Sequence, residues 1–222
     1  MGQWKGSGGL ILWIDIDPAV QDEADAWYLD EHLPERVQVA GYRSARRYVA
    51  IEAEPRYLSV FEADSPEALA SPGYLGLVSR ISEQSRRIRA AFRHVVRNTF
   101  EVTASHGRAR GGVIGSYRLR AAAADRSAAD AALSALVENL AHMPGVVAAH
   151  ALKAAPHIRA RLDAVRVTGQ SDASAEQVLL VEATGPDELA HVRCGAASDA
   201  ALARCGWQVE AYGTYRLMAE FS

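Results

Sequence analysis

An internal repeat limits the fold of this chain more than any other feature of its sequence. The run Val60-Phe61-Glu62-Ala63-Asp64-Ser65-Pro66-Glu67-Ala68-Leu69 resembles Leu180-Val181-Glu182-Ala183-Thr184-Gly185-Pro186-Asp187-Glu188-Leu189, at an offset of 120 residues. Gly41 matches Gly145 at an offset of 104, and Thr99-Phe100-Glu101 matches Thr214-Tyr215-Arg216 at 115. A chain of 222 residues with such a repeat reads as two units rather than one large domain. The drift of the offset puts 16 extra residues in the second half, between its second and third strands. They fall at about 155–174, a polar stretch expected to be a long, mobile hairpin loop.

Each half gives the same order of elements. Apolar, β-branched runs at 10–16, 42–51, 57–63 and 94–102 read as strands. Asp17-Pro18 and Ser65-Pro66 read as helix starts, and helical spacing of Ile81, Ser85, Ile88 and Phe92 predicts one long helical region over 74–92. The second half repeats this with strands at 113–120, 146–152, 177–183 and 209–217, and helices at 127–141 and after Gly185-Pro186. The order β-α-β-β-α-β is the ferredoxin-like unit. The predicted fold is therefore α+β: two tandem ferredoxin-like units, residues 1–106 and 107–222, joined in the segment 105–112. A four-stranded sheet with helices on one face leaves the other bare, so the two sheets are expected to pack together as an α+β barrel.

Composition narrows the partners. Lys+Arg number 24 against 27 Asp+Glu, which leaves no basic footprint for nucleic acid. No apolar stretch approaches the ~18 residues of a membrane span, and no signal peptide opens the chain. A cytoplasmic protein is expected. Cys194 and Cys205 are too few for a disulfide scaffold and read as buried thiols rather than a redox pair. No Gly-rich phosphate loop and no His/Cys/carboxylate spacing suggests a ligand set, so no cofactor and no metal are expected.

Chemistry concentrates in Trp27-Tyr28-Leu29-Asp30-Glu31-His32-Leu33-Pro34-Glu35-Arg36 and in Gly41-Tyr42-Arg43-Ser44-Ala45-Arg46-Arg47-Tyr48. His32 precedes a proline that must loosen its helix, and imidazole both takes and gives a proton near neutrality. Glu31 or Glu35 can orient it, and Arg46 or Arg43 can hold an oxyanion. Strand alternation separates Arg46 from Arg47 and puts Tyr48 beside Arg46. The expected catalytic set is thus His32, Arg46 and Tyr48, with Trp27, Tyr28, Glu31 and Tyr74 binding substrate. Each residue also has a structural reading. His32 can bond a backbone carbonyl at the proline break, Trp27 and Tyr28 can pack helix on sheet, the arginines can form a solvated strand face, and Tyr74 can simply begin a helix. The remaining histidines carry no expected role.

With the later Ser71-Pro72-Gly73-Tyr74, these runs resemble the EthD-like branch of the dimeric α+β barrel superfamily. The resemblance covers about the first 100 residues, and Glu31-His32 falls at that family's Glu-His position. It implies a cleft between sheet and helices that takes a small aromatic or lactone ligand. The second half lacks the motif: Leu136 stands opposite His32 and Ala131 opposite Trp27. That unit is expected to be a degenerate scaffold, giving one functional cleft in a monomeric pseudo-dimer or a homodimer. The leading function is a cofactor-independent enzyme whose proton transfer isomerises, cyclises or eliminates a small apolar carbonyl, phenolic or lactone compound. The alternatives are a cofactor-free monooxygenase and a non-catalytic ligand-binding barrel. A haem-handling role would use His32 as an iron ligand, but the sequence carries no second haem-specific feature.

Overall fold

The structure is a computed structural model that describes residues 4–122, 124–165 and 172–222. The apolar runs become eight strands: β1 (Gly8–Ile16), β2 (Tyr42–Glu52), β3 (Tyr57–Ala63), β4 (Phe92–Gly107), β5 (Val113–Ala121), β6 (Val146–Ala154), β7 (Gln177–Ala183) and β8 (Trp207–Phe221). Between them lie α1 (Gln21–Trp27), α2 (Leu33–Val37), α3 (Pro72–Ser79), α4 (Glu83–Ala90), α5 (Arg126–Ala141), α6 (Pro156–Asp163), α7 (Pro186–Cys194) and α8 (Asp199–Arg204). The strands pair antiparallel in the order β1-β3-β2-β8-β5-β7-β6-β4, and β4 pairs back with β1. The sheet is a closed barrel, which leaves no free edge to pair with another chain.

Within that order the first four strands are contiguous as β4-β1-β3-β2 and the last four as β8-β5-β7-β6. The two groups meet edge to edge, through β2 with β8 and β4 with β6. Gly41 and Gly145 both end a helical segment with positive φ, +94° and +74°. A Cβ at Gly41 would sit 2.9 Å from the Ala68 side chain, and one at Gly145 2.2 Å from that of Glu188.

Alternation along the strands sorts side chains into two environments. One apolar core, with Leu10, Leu12, Phe61, Ala45 and Tyr57, packs against Trp27, Leu33, Tyr74 and Ile88 of the helices. A second joins β5–β8 to helices α5, α7 and α8 through Leu133, Val137, Leu179, Leu189 and Leu202. The third is drawn almost wholly from strands and fills the barrel: Ile11, Trp13, Tyr48, Leu58, Val60, Ile114, Val178, Leu180 and Tyr215.

Three local expectations change. The single helix over 74–92 is two helices. Arg80 leaves the helical region (φ −125°, ψ 51°), and the extended Ser82 caps α4 by accepting the Ser85 N–H at 3.0 Å. The long loop over 155–174 contains α6, opened by Pro156, whose Ile158 and Leu162 enter the same core as Trp27. After residues 166–171, which lie outside the described residues, Ala173 bridges to Val96 of β4. Cys194 is exposed and Cys205 half-buried, because Leu189, Val192 and Leu202 occupy the inward helix faces.

Candidate functional site

His32 stands at the end of a five-residue π turn, Tyr28–His32, that links α1 to α2. The Leu33 N–H reaches back five residues to the Tyr28 carbonyl. Pro34, which has no N–H to donate, is accepted in the first turn of α2, so the helix widens there instead of breaking. The widened turn directs His32 inward, where it is 8% exposed. Its ring stacks on Trp27 (centroids 4.3 Å apart, 27° between planes) and meets Tyr28 and Phe61 edge-on at 5.0 and 6.1 Å.

Trp27 is itself fixed. Its indole N–H donates to Ser85 Oγ at 3.0 Å, and the Ser85 hydroxyl donates to Glu31 at 2.5 Å. Ser82 Oγ donates to the same carboxylate at 3.0 Å. Glu31 therefore acts on His32 through Ser85 and Trp27, tying the π turn to the start of α4. These hydroxyls hold its carboxyl below the usual range even though burial opposes ionisation.

Arg36, one helical turn after His32, donates from Nη2 to His32 Nδ1 at 3.3 Å. A guanidinium has no acceptor, so Nδ1 must accept and the neutral ring carries its proton on Nε2. Burial, and then the positive charges of Arg36, Arg89 and Arg47, push the His32 pKa well below its ordinary value. At neutral pH this side chain is an N–H donor.

Both His32 and Arg36 line a cavity of about 100 Å³ between the helices and the outer face of β1, β3 and β4. Leu10, Leu12, Phe61, Val78, Ile81 and Phe92 supply its apolar walls, and Tyr74, Arg89 and Arg97 share the lining. This is the scale of one aromatic ring, since an apolar cavity of ~150 Å³ takes benzene. The second half of the chain closes one side. Leu162 and Asp172 line the cavity, and Arg97 is held by Asp172 at 2.8 Å and by Asp163 at 2.7 Å.

The predicted residues divide accordingly. His32 and Tyr74 line the cavity, with the Tyr74 ring stacked on Tyr42 at 5.0 Å and the Arg36 guanidinium 5.3 Å above it. Trp27 and Tyr28 back the His32 ring, and Glu31 fixes Trp27. Arg46 and Tyr48 are not brought to His32 but face the barrel interior. There Arg46 donates to Glu62 at 2.6 Å, Glu182 at 2.8 Å and Tyr48 at 2.7 Å. Alternation pairs Arg46 with Tyr48 correctly, but the phase of β2 turns Arg47 toward the helices. Arg47 lies 3.6 Å from the Tyr28 ring centroid and donates to Asp25 at 2.5 Å. Arg36, Arg89, Arg97 and Asp172 were not assigned from sequence, although the His32–Arg36 spacing of four residues places that pair on one helical face.

No family model matches the chain, and no curated protein matches it. Solved structures do. An anthrone oxidase-like protein superposes with a TM-score of 0.59 at 15% identity, covering 100% of this chain and 94% of that one. A candidate monooxygenase from Fusobacterium nucleatum gives 0.61 at 8% identity, covering 97% and 94%. A haem-binding protein from Thermus thermophilus gives 0.55 at 10%, covering 98% and 93%. At these identities the likeness is one of fold, the closed α+β barrel described above. Haem does not fit the cavity described here. At about 100 Å³ it is smaller than a porphyrin, and with Nδ1 accepting from Arg36 the His32 Nε2 carries the ring proton and offers iron no lone pair.

Proposed function

We propose that the chain is a cofactor-independent enzyme acting on a small apolar carbonyl, phenolic or lactone compound bound in the His32 cavity. Its device is an oxyanion site. The His32 Nε2–H and the Arg36 guanidinium stabilise the enolate or phenolate that forms when the compound gives its proton to solvent hydroxide, which becomes water. The observation that carries this reading is the Arg36-to-His32 Nδ1 bond, which fixes the tautomer and makes His32 a donor to the substrate oxygen rather than the base expected from sequence. An enolate held this way can be reprotonated at another carbon, which is isomerisation. The same anion is the form that gives electrons to oxygen, so a cofactor-free monooxygenase is the second reading. It is favoured by the lining carboxylate Asp172 being ion-paired with Arg97, which leaves that group a poor internal proton relay.

The reading also keeps the two-unit organisation, with residues 1–106 as the functional ferredoxin-like unit of EthD-like type and 107–222 as its degenerate partner, a pseudo-dimer within one chain. Its support is the repeat mapped onto contacts. Arg46 and His150 are related by the offset of 104, and Glu62 and Glu182 by 120. All four meet in the barrel interior.

The test is a pH titration of 4-nitrophenol in the presence of the protein. Bound 4-nitrophenol should ionise about 1–3 pH units lower than the free phenol, as expected for an opposite charge within a few ångström. His32→Ala and Arg36→Leu should each remove most of that shift. A bound phenol that titrates like the free one, or no binding at all, rejects the oxyanion site.

A further inference from the structure

The charges around the cavity do not balance, and the imbalance identifies a second recognition element. Arg46, Arg47, Arg97, Arg110 and Arg159 each hold a carboxylate at 3.0 Å or closer. Arg36 does not. Although it is 2% exposed, its nearest carboxylate among the described residues is the half-exposed Glu35 at 3.4 Å. Arg89, on α4, stands over the Trp27 ring at 5.8 Å and makes no ion pair among the described residues; its Nε is buried without a hydrogen-bond partner, as are those of Arg46 and Arg47. Both guanidiniums line the same cavity. Burial first, and then the neighbouring Arg36 charge, pulls the Arg89 pKa down to about 10. Holding a buried cation, Arg36, and a half-buried one, Arg89, side by side without an anion is costly, so the pair in a ligand-sized cavity is a vacant half of an ion pair.

We infer that the ligand is a small aromatic monocarboxylate, its carboxylate held by Arg89 and its reactive oxygen by His32 and Arg36. This deepens the oxyanion reading and rests on it. The assignment to a ring follows from the walls, where Phe61, Tyr74 and Phe92 surround a single-ring volume. The assignment to a carboxylate follows from charge. With His32 neutral, one fixed negative charge and one that develops in the reaction match the two arginines. Planar guanidinium–carboxylate pairing suits a narrow apolar slot better than a bulky, strongly hydrated phosphate.

Calorimetry with benzoate, its neutral isostere benzamide, and inorganic sulfate tests the inference. Benzoate should bind at least about tenfold tighter than either, the return expected for one charge-assisted contact. Arg89→Met should bring benzoate to within about twofold of benzamide, and Arg89→Lys should restore part of the preference, with thermal unfolding verifying that both variants fold. Benzamide equal to benzoate in the unmodified protein, or a preference that survives Arg89→Met, overturns the carboxylate. Sulfate equal to benzoate overturns the aromatic acid in favour of a general anion site. If 4-nitrophenol still ionises at low pH while benzoate and benzamide bind alike, this inference fails and the oxyanion site stands. If neither 4-nitrophenol nor benzoate binds, both fail.

Discussion

The barrel interior and the His32 cavity hold arginines in opposite ways. Inside the barrel, Arg46 and Arg110 share Glu62 and Glu182, and Glu220 lies 3.4 Å from Arg110. His150 completes the cluster, with Nε2 3.5 Å from Glu182 and Nδ1 2.9 Å from Ser105 Oγ. The backbone N–H of Gly111 donates to Glu182 as that of Lys5 donates to Glu62. Burial works against both carboxylates, yet the arginines outweigh it and hold them below the usual range. Toward the helices, Arg36 and Arg89 face a cavity without such partners among the described residues. Arg46 Nε and His150 Nε2 lack hydrogen-bond partners as Arg89 Nε does, so the difference lies in charge: the barrel cations are paired with carboxylates, whereas those of the cavity are available to an anion. The contrast places Arg46 and Tyr48, chemically apt as they are, among the ion-paired groups of the barrel and away from His32.

The sharpest way to break this comparison is to unbalance the paired side. Glu182→Leu leaves two barrel arginines with Glu62 and Glu220, and removing one partner of a buried ion pair typically costs about 3–5 kcal/mol. Denaturant unfolding should show a loss of that order. A loss under about 1 kcal/mol would mean that the interior cluster is no more essential than a surface ion pair.

Next in size is the wall that the second half lends to the cavity. Ile158 is fully buried in the core that also holds Trp27 and Leu33. Ile158→Ala should cost about 2–5 kcal/mol, toward the lower end if α6 can settle into the space. It should also weaken 4-nitrophenol binding, because Leu162 and Asp172 are carried by the same segment. Unchanged stability would return this stretch to the status of a tolerated loop.

Sequence made the elements legible because strand and helix periods, Pro-opened helices and the two glycine turns are local signals. His32 was legible for the same reason, standing two residues before Pro34. Three things were not local. Alternation told that Arg46 and Tyr48 share a face, but the choice of face is set by the bulge between Tyr42 and Ser44 and by packing against Tyr28. The break at Arg80–Ser82 interrupts a helical apolar period that reads continuously through Ile81. The contribution of Leu162 and Asp172 arises because chain inserted in one half pairs with β4 of the other, as in the Arg97 N–H to Ala173 carbonyl bond of 3.0 Å.

A smaller effect separates the two regions by pH. Imidazole has an unperturbed pKa near 6.5, and His32 in the folded protein lies well below it. Between those values the unfolded chain binds a proton that the native state refuses, so stability falls as pH drops below about 6.5 and is flat above it. At pH 5.5 this group alone should contribute a loss of about 1 kcal/mol relative to pH 7.5. His32→Gln, which keeps an N–H donor, should flatten that part of the profile. An unchanged slope would show that His32 is protonated in the native state and that Arg36 does not face its lone pair.

The smallest expected change is also the most discriminating, because its sign differs from the usual one. Most substitutions of a half-buried residue destabilise. Arg89→Met removes a charge that makes no ion pair among the described residues and repels Arg36, while its thioether side chain can still cover Trp27. Without ligand, unfolding free energy should therefore move by no more than about 0.5 kcal/mol, or rise. Activity sites are often built at such a cost to stability, and relieving it is stabilising. With benzoate present the order should reverse, since the unmodified protein binds it more tightly and gains more. Thermal unfolding of both proteins, with and without benzoate, measures all four states. A marked loss of stability in the ligand-free variant would place Arg89 with the paired arginines of the barrel and erase the distinction between the two regions.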